Sequence, residues 1–179
     1  MENSVLIAGF GGQGVLFTGR VLAEAGLLLG HEVTWYPSYG PEQRGGTCNC
    51  SVVIGDEPIG SPVIDAPDYL LVLNQPSWAR FAPTAKANGR IIYNENIVKP
   101  DAGPIAAGKV PIKATRLAGK AGDERVANMV LLGALLRSLE SITMAAAKEA
   151  LRDLISPKYA DLLEIDLDCL DLGYAKAAV

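Results

Sequence analysis

Val5-Leu6-Ile7-Ala8-Gly9-Phe10-Gly11-Gly12-Gln13-Gly14, with the stretch from Val15 to about Leu29 behind it, decides the fold. Four consecutive apolar residues of strand length stop at a run of glycines, and helical periodicity begins beyond them. The order is strand, glycine turn, helix. Outward from it, His31 to Pro37 holds Val33-Thr34-Trp35-Tyr36, a β-branched and aromatic run expected to be the second strand. A full helical crossover separates the two, so they are expected to be parallel neighbours. Ser38 to Thr47 is rich in glycine and charge and leaves no room for a helix, so Cys48 to Ile54 reads as a third strand returning antiparallel.

The βα rhythm then resumes. Pro58, Gly60, Pro62 and Pro67 keep the next segment irregular. Tyr69 to Leu73 is a buried strand, Gln75-Pro76-Ser77 opens a short helix, and Arg90 to Asn94 is another strand. Val110-Pro111-Ile112 makes a last short strand. Helices follow over Ala114–Leu139, Thr143–Ile155 and a piece from Pro157. The expected architecture is α/β, one three-layer domain over residues 1–179, with a mixed, mostly parallel sheet and helices on both faces.

Composition narrows the function. Apolar residues make up 49% and charged residues 20%, and the formal charge is −4 with a pI near 5.0, so no basic footprint for nucleic acid is present. No apolar run reaches the roughly 18 residues of a membrane helix, and Met1-Glu2-Asn3-Ser4 lacks a basic start, which makes the cytoplasm the expected location and excludes a membrane partner. Cys48, Cys50 and Cys169 are too few for a four-thiolate cluster and read as ordinary reduced thiols. His31, the one histidine, follows Gly30 where the first helix should end.

Two motifs invite nucleotide readings. Gly9, Gly11 and Gly14 satisfy Gly-x-Gly-x-x-Gly in a strand–helix context, yet the second strand ends Tyr36-Pro37-Ser38, without the acidic residue that holds a ribose. Gly103 to Lys109 follows the Walker spacing, but Val110 has no hydroxyl for magnesium and Pro111 interrupts the required helix.

What remains is a pair of loops. Parallel first and second strands would bring the Gly9–Gly14 turn and the Ser38–Thr47 loop out at one sheet edge, where open α/β sheets bind ligands. The turn offers backbone N–H groups at a helix N-terminus. The second loop adds Tyr39, Glu42, Gln43 and Arg44, framed by Gly40, Gly45 and Gly46, a combination suited to an anionic ligand. The helix Val126 to Leu136 is apolar nearly all round, so its second face is covered either by another subunit or by central burial in this domain.

Gly9-Phe-Gly-Gly-Gln-Gly14, Ser38-Tyr-Gly-Pro-Glu-Gln-Arg-Gly-Gly46, Pro58-Ile-Gly-Ser-Pro62 and Asn128-Met-Val-Leu-Leu-Gly-Ala-Leu135 together resemble the γ subunits of 2-oxoacid:ferredoxin oxidoreductases, with 2-oxoglutarate and branched-chain members the most similar. The resemblance implies an enzyme that decarboxylates a 2-oxoacid on thiamine diphosphate with magnesium, passes electrons through [4Fe–4S] clusters to ferredoxin and releases an acyl-CoA. It implies that this chain holds none of those cofactors alone, carries no catalytic residue alone and no metal, and works with α, β and ferredoxin-like δ subunits. On the same basis the site residues are Gly11, Gly12, Gln13, Gly14, Tyr39, Glu42, Arg44, Gly45 and Gly46, facing the partners near the cofactor and CoA, with Arg44 the direct anion contact and Glu42 its orienting partner. An indolepyruvate oxidoreductase subunit and a stand-alone nucleotide-binding domain remain the alternatives.

Overall fold

A computed structural model describes residues 1–40, 45–101 and 103–177. Its strands are β1 (Glu2–Phe10), β2 (Glu32–Tyr39), β3 (Thr47–Gly55), β4 (Tyr69–Val72), β5 (Arg90–Asn94) and β6 (Gly108–Ile112). Its helices are α1 (Val15–Leu28), α2 (Gln75–Phe81), α3 (Ala114–Ala121), α4 (Ala127–Leu136), α5 (Met144–Leu154) and α6 (Ala160–Lys176). The strands form one sheet in the order β2-β3-β1-β4-β5-β6. Pairings from β1 through β6 are parallel, whereas β3 runs antiparallel to both β1 and β2.

Side-chain alternation along the strands makes the three layers. Val5, Ile7 and Leu71 face the large core under α1, α4, α5 and α6, and Leu6, Leu70 and Val72 face the smaller one under α2. Pro76 and the Asn74 side chain, which accepts the Ser77 N–H at 2.9 Å, start α2. That helix places Trp78 edge-on against Tyr93, with ring centroids 5.0 Å apart.

Two expectations change, and one left open is decided. β1 and β2 point the same way but are not neighbours, because the short return after β2 lets β3 pair on both sides and slip between them. The helical run after Ala114 is broken: Gly122, at φ +133°, ends α3, and a single 3-10 turn over Glu124–Val126 leads into α4. Every residue from Asn128 to Leu136 is buried within this chain, so α4 is covered by its own domain. The sheet lies on one side of it and α6 on another. A Cβ at Gly133 would run into the Leu170 carbonyl and one at Gly173 into the Val130 carbonyl, so the two helices cross backbone against backbone.

The Walker-like segment runs straight into β6. Lys109 belongs to that strand, with its ammonium 6.0 Å from the Trp78 ring.

Candidate functional site

β1 ends at Phe10, yet its pairing with the neighbouring chain segment continues into the glycine turn. The Gly11 N–H donates to the Gly46 carbonyl at 3.0 Å, and the Gly45 N–H donates back to Gly11 at 3.3 Å. Both loops are thereby tied to one point at the sheet edge, despite the strand inserted between β1 and β2. Gly12, Gly14 and Gly45 have φ of +97°, +77° and +76°, which explains glycine at each. Gln13 folds back to lock the turn. Its Oε1 accepts from the Phe10 N–H (2.7 Å) and the Asn74 amide (2.9 Å), and its Nε2 donates to the Leu73 carbonyl.

Gly14 is the left-handed N-cap of α1, and the Thr18 N–H and hydroxyl both donate to its carbonyl at 2.9 Å. The first amides of α1, at Val15, Leu16 and Phe17, lie ahead of any i−4 carbonyl in the helix and carry its positive end. Asn128, from the first turn of α4, reaches this point: its amide donates to Thr18 Oγ1 at 3.0 Å, and it occupies the space a Cβ on Gly14 would need.

Above the turn opens a cavity of about 810 Å³. Phe10, Val15, Leu16 and Phe17 form one apolar wall, and Leu154, Ile155, Tyr159 and Leu162, around the connection from α5 to α6, form the other. Its buried polar groups are Asn128 and Asp166. Asp166 is only 5% exposed and has no hydrogen-bond partner among the described residues. Burial, reinforced by the nearby Asp123 charge, pushes its carboxyl up to about 6. Asp123 itself is held below the usual carboxylate range by hydrogen bonds from Arg125, whose Nε donates at 2.9 Å, so a charged pair stands at the cavity wall.

Of the residues singled out from the sequence, Gly11, Gly12, Gly14 and Tyr39 line this cavity. Gln13, Gly45 and Gly46 make the hydrogen bonds that fix the two loops to one another and to the ends of β1 and β4. Glu42 and Arg44 lie outside the described residues. The sequence reading missed Asp166 and the wall from Leu154 to Leu162. The available signal was phase: Asp166 shares a helix face with Leu167, Leu170 and Gly173, all buried.

Residues 4–176 match the family model described as pyruvate ferredoxin/flavodoxin oxidoreductase. The chain belongs to this family. It is 42% identical over 173 residues to the ketoisovalerate oxidoreductase subunit VorA of Methanothermobacter thermautotrophicus, covering 96% of this chain and 36% of that protein. The chain thus spans about a third of the length of that relative. The γ subunit of a keto/oxoacid ferredoxin oxidoreductase from Geobacter sulfurreducens superposes with a TM-score of 0.82 at 27% identity, over 97% of both chains. A 2-oxoglutarate:ferredoxin oxidoreductase from Magnetococcus marinus, solved with 2-oxoglutarate, coenzyme A and succinyl-CoA, gives a TM-score of 0.87 at 26% identity, over 97% of this chain and 30% of that one.

In this oxidoreductase-family chain the cavity lining includes one thiol. It belongs to Cys48, and burial raises it above the ordinary range. Cys50 is pushed up to about 12 by burial, then by Cys48, and its thiol donates to the Val15 carbonyl at 3.5 Å. Among the described residues no three His, Cys, Asp or Glu side chains gather into a metal-binding group. His31 sits at the far end of α1, with Nε2 3.1 Å from the Ser141 carbonyl and Nδ1 3.2 Å from Asp56. No helix among the described residues is long and apolar enough to cross a membrane.

Proposed function

We propose that this chain is the γ part, a single domain over residues 1–179, of a 2-oxoacid:ferredoxin oxidoreductase whose 2-oxoacid is 2-oxoisovalerate or 2-oxoglutarate. The complete enzyme oxidatively decarboxylates the 2-oxoacid to an acyl-CoA and CO2 in the cytoplasm. Thiamine diphosphate, magnesium and [4Fe–4S] clusters are carried by α, β and ferredoxin-like δ parts, and ferredoxin takes the electrons. The observation that carries this reading is the family match over residues 4–176, supported by the same fold as a separate γ subunit in Geobacter and as about a third of the longer Magnetococcus chain.

Within that enzyme, the cavity edge formed by Gly11, Gly12, Gly14 and Tyr39 faces the partner subunits beside the CoA site, with Arg44 and Glu42 in the adjoining loop. Arg44 binds a phosphate or carboxylate there. A desolvated guanidinium–anion contact is worth about 2–5 kcal/mol of binding, whereas an exposed pair with Glu42 would contribute only about 0–1 kcal/mol to folding. Arg44→Ala is therefore expected to leave the melting temperature of the isolated chain unchanged and to raise the apparent KM for CoA by tenfold or more in the enzyme reconstituted with its partner chains. A wild-type chain that restores no CoA-dependent 2-oxoacid oxidation would overturn the functional reading. Unchanged kinetics in the Arg44→Ala enzyme would overturn only the assignment of the loop.

A further inference from the structure

At the opposite border of the sheet from β2, the edge strand β6 and helix α3 carry a concentration of positive charge that the site above does not use. Arg116 and Lys120, four apart, share one face of α3, and Lys113, the residue before the helix, lines one groove with them. Lys176, at the end of α6, converges on the same shallow groove, which is walled by Pro111 and Leu117. Arg116 and Lys120 also line an adjoining depression toward Gly119 and Glu124. All four cations are exposed, and none makes an ion pair among the described residues. Glu95 and Glu124 stand at the borders of these depressions. This gathering occurs in a chain of formal charge −4, where unpaired positive charge on one face is not the overall trend.

We infer that this groove docks an acidic face of a partner subunit; the inference rests on the γ-part reading and names a surface that reading leaves unassigned. Charge complementarity selects the occupant. A small phosphate ligand is served by several helix N-terminal amides together, but here those at Thr115, Arg116 and Leu117 are taken: the Asn94 and Asn96 side chains accept from the Thr115 and Arg116 N–H groups at 3.4 and 3.1 Å, and the Leu117 N–H returns to Lys113. The cations are instead long side chains spread over an open groove, the arrangement that meets several carboxylates at once, with the Arg116 guanidinium able to grip one of them bidentately. Edge-strand pairing is disfavoured on this border because Pro111 lies within β6 and Lys109 is exposed beside it, so side chains rather than backbone make the contact.

The test uses the full chain assembled with its co-expressed partner chains. Carbodiimide cross-linking at low ionic strength is expected to join Lys113, Lys120 or Lys176 to an Asp or Glu of another chain. The triple variant Lys113→Glu, Arg116→Glu, Lys120→Glu is expected to keep the melting temperature of the isolated chain within a few degrees. Its association should weaken by at least about tenfold at low salt, with the difference shrinking near 1 M salt, where screening extends over only about 3 Å. Equal association of the variant and wild type at both salt concentrations, or no cross-link from these lysines in an assembled and active enzyme, overturns the docking surface and leaves the γ-part reading standing. Protection of the same lysines by orthophosphate alone assigns the groove to a small anion and overturns the inference as well. Failure of the wild-type chain to assemble is a separate result, which strikes the γ-part reading itself.

Discussion

The glycines at the start of α1 and those where α4 crosses α6 do opposite work. At Gly12 no heavy atom lies within 4 Å of where a Cβ would stand, so the residue is glycine for its backbone angle and leaves the cavity edge open. At Gly133 and Gly173 the angles are ordinary, and the absent Cβ is replaced by the carbonyl of the opposing helix. One set of glycines exposes backbone to whatever docks at the turn. The other buries backbone to hold the domain together, which lets an almost wholly apolar α4 be covered without help from another chain.

The sharpest test of this division is Gly173→Ala. The added methyl must push α4 and α6 apart through a backbone contact with Val130, which cannot give as a side chain would. Overpacking of this kind costs about 3 kcal/mol, and for a chain of this size that lowers Tm by about 10 °C. Thermal unfolding of the isolated chain measures it. A Tm within a degree or two of wild type would mean that the crossing is looser than the structure shows.

A pH-dependent effect, no larger, is expected on the cavity side of α6. Asp166 carries a folded-state pKa of about 6 against an ordinary value of 3.8. Below pH 3.8 the carboxyl is protonated both folded and unfolded and costs nothing. As pH rises toward 6, the unfolded chain ionises first, so stability falls through that window and stays lower above it. Asp166→Asn removes the penalty and should stabilise the isolated chain by about 3 kcal/mol at pH 7.5, with most of the gain gone by pH 4. A stability–pH curve parallel to wild type would show that the Asp166 carboxyl is solvated after all.

The sequence carried the strand–turn–helix opening because Val5 to Gly14 changes period within a few residues, and it carried the antiparallel return of β3 because Ser38 to Thr47 is too short for anything else. It did not reveal that β3 lies between β1 and β2. A hairpin and a crossover fix directions, while neighbour order depends on which edges find partners. It showed α4 as apolar all round but not what covers it, since the cover is supplied by α6, some 40 residues on, through the contacts at Gly133 and Gly173. Asp166 was hidden among Asp161, Glu164, Asp168 and Asp171, and only its place on the inner face of α6 separates it from those exposed acids. The turn was legible as a glycine-rich group, but the direction of the Gln13 amide was not, because it is set by Asn74, which the fold brings beside it from 61 residues on.

The smallest effect on folding is the one that best isolates function, because α1 carries its own matched control. Gly12 before the helix and Gly30 after it have φ of +97° and +80°, both are exposed, and neither has a heavy atom near its missing Cβ. Gly30 closes α1 in a Schellman arrangement, with the His31 N–H donating to the Gly26 carbonyl at 3.1 Å and its own N–H donating to Leu27 at 2.9 Å. Gly12→Ala and Gly30→Ala should therefore each cost the isolated chain only about 1 kcal/mol, the strain of an L side chain at positive φ. In the assembled enzyme they should part. Gly30 lies at the end of α1 remote from the cavity, so its variant should keep wild-type kinetics, whereas a methyl on Gly12 protrudes at the edge proposed to face the partner chains and should lower CoA-dependent turnover well beyond the loss in stability. Equal turnover in the two variants would mean that the glycine turn serves only the start of α1, and the open edge above it would then have no part in the reaction.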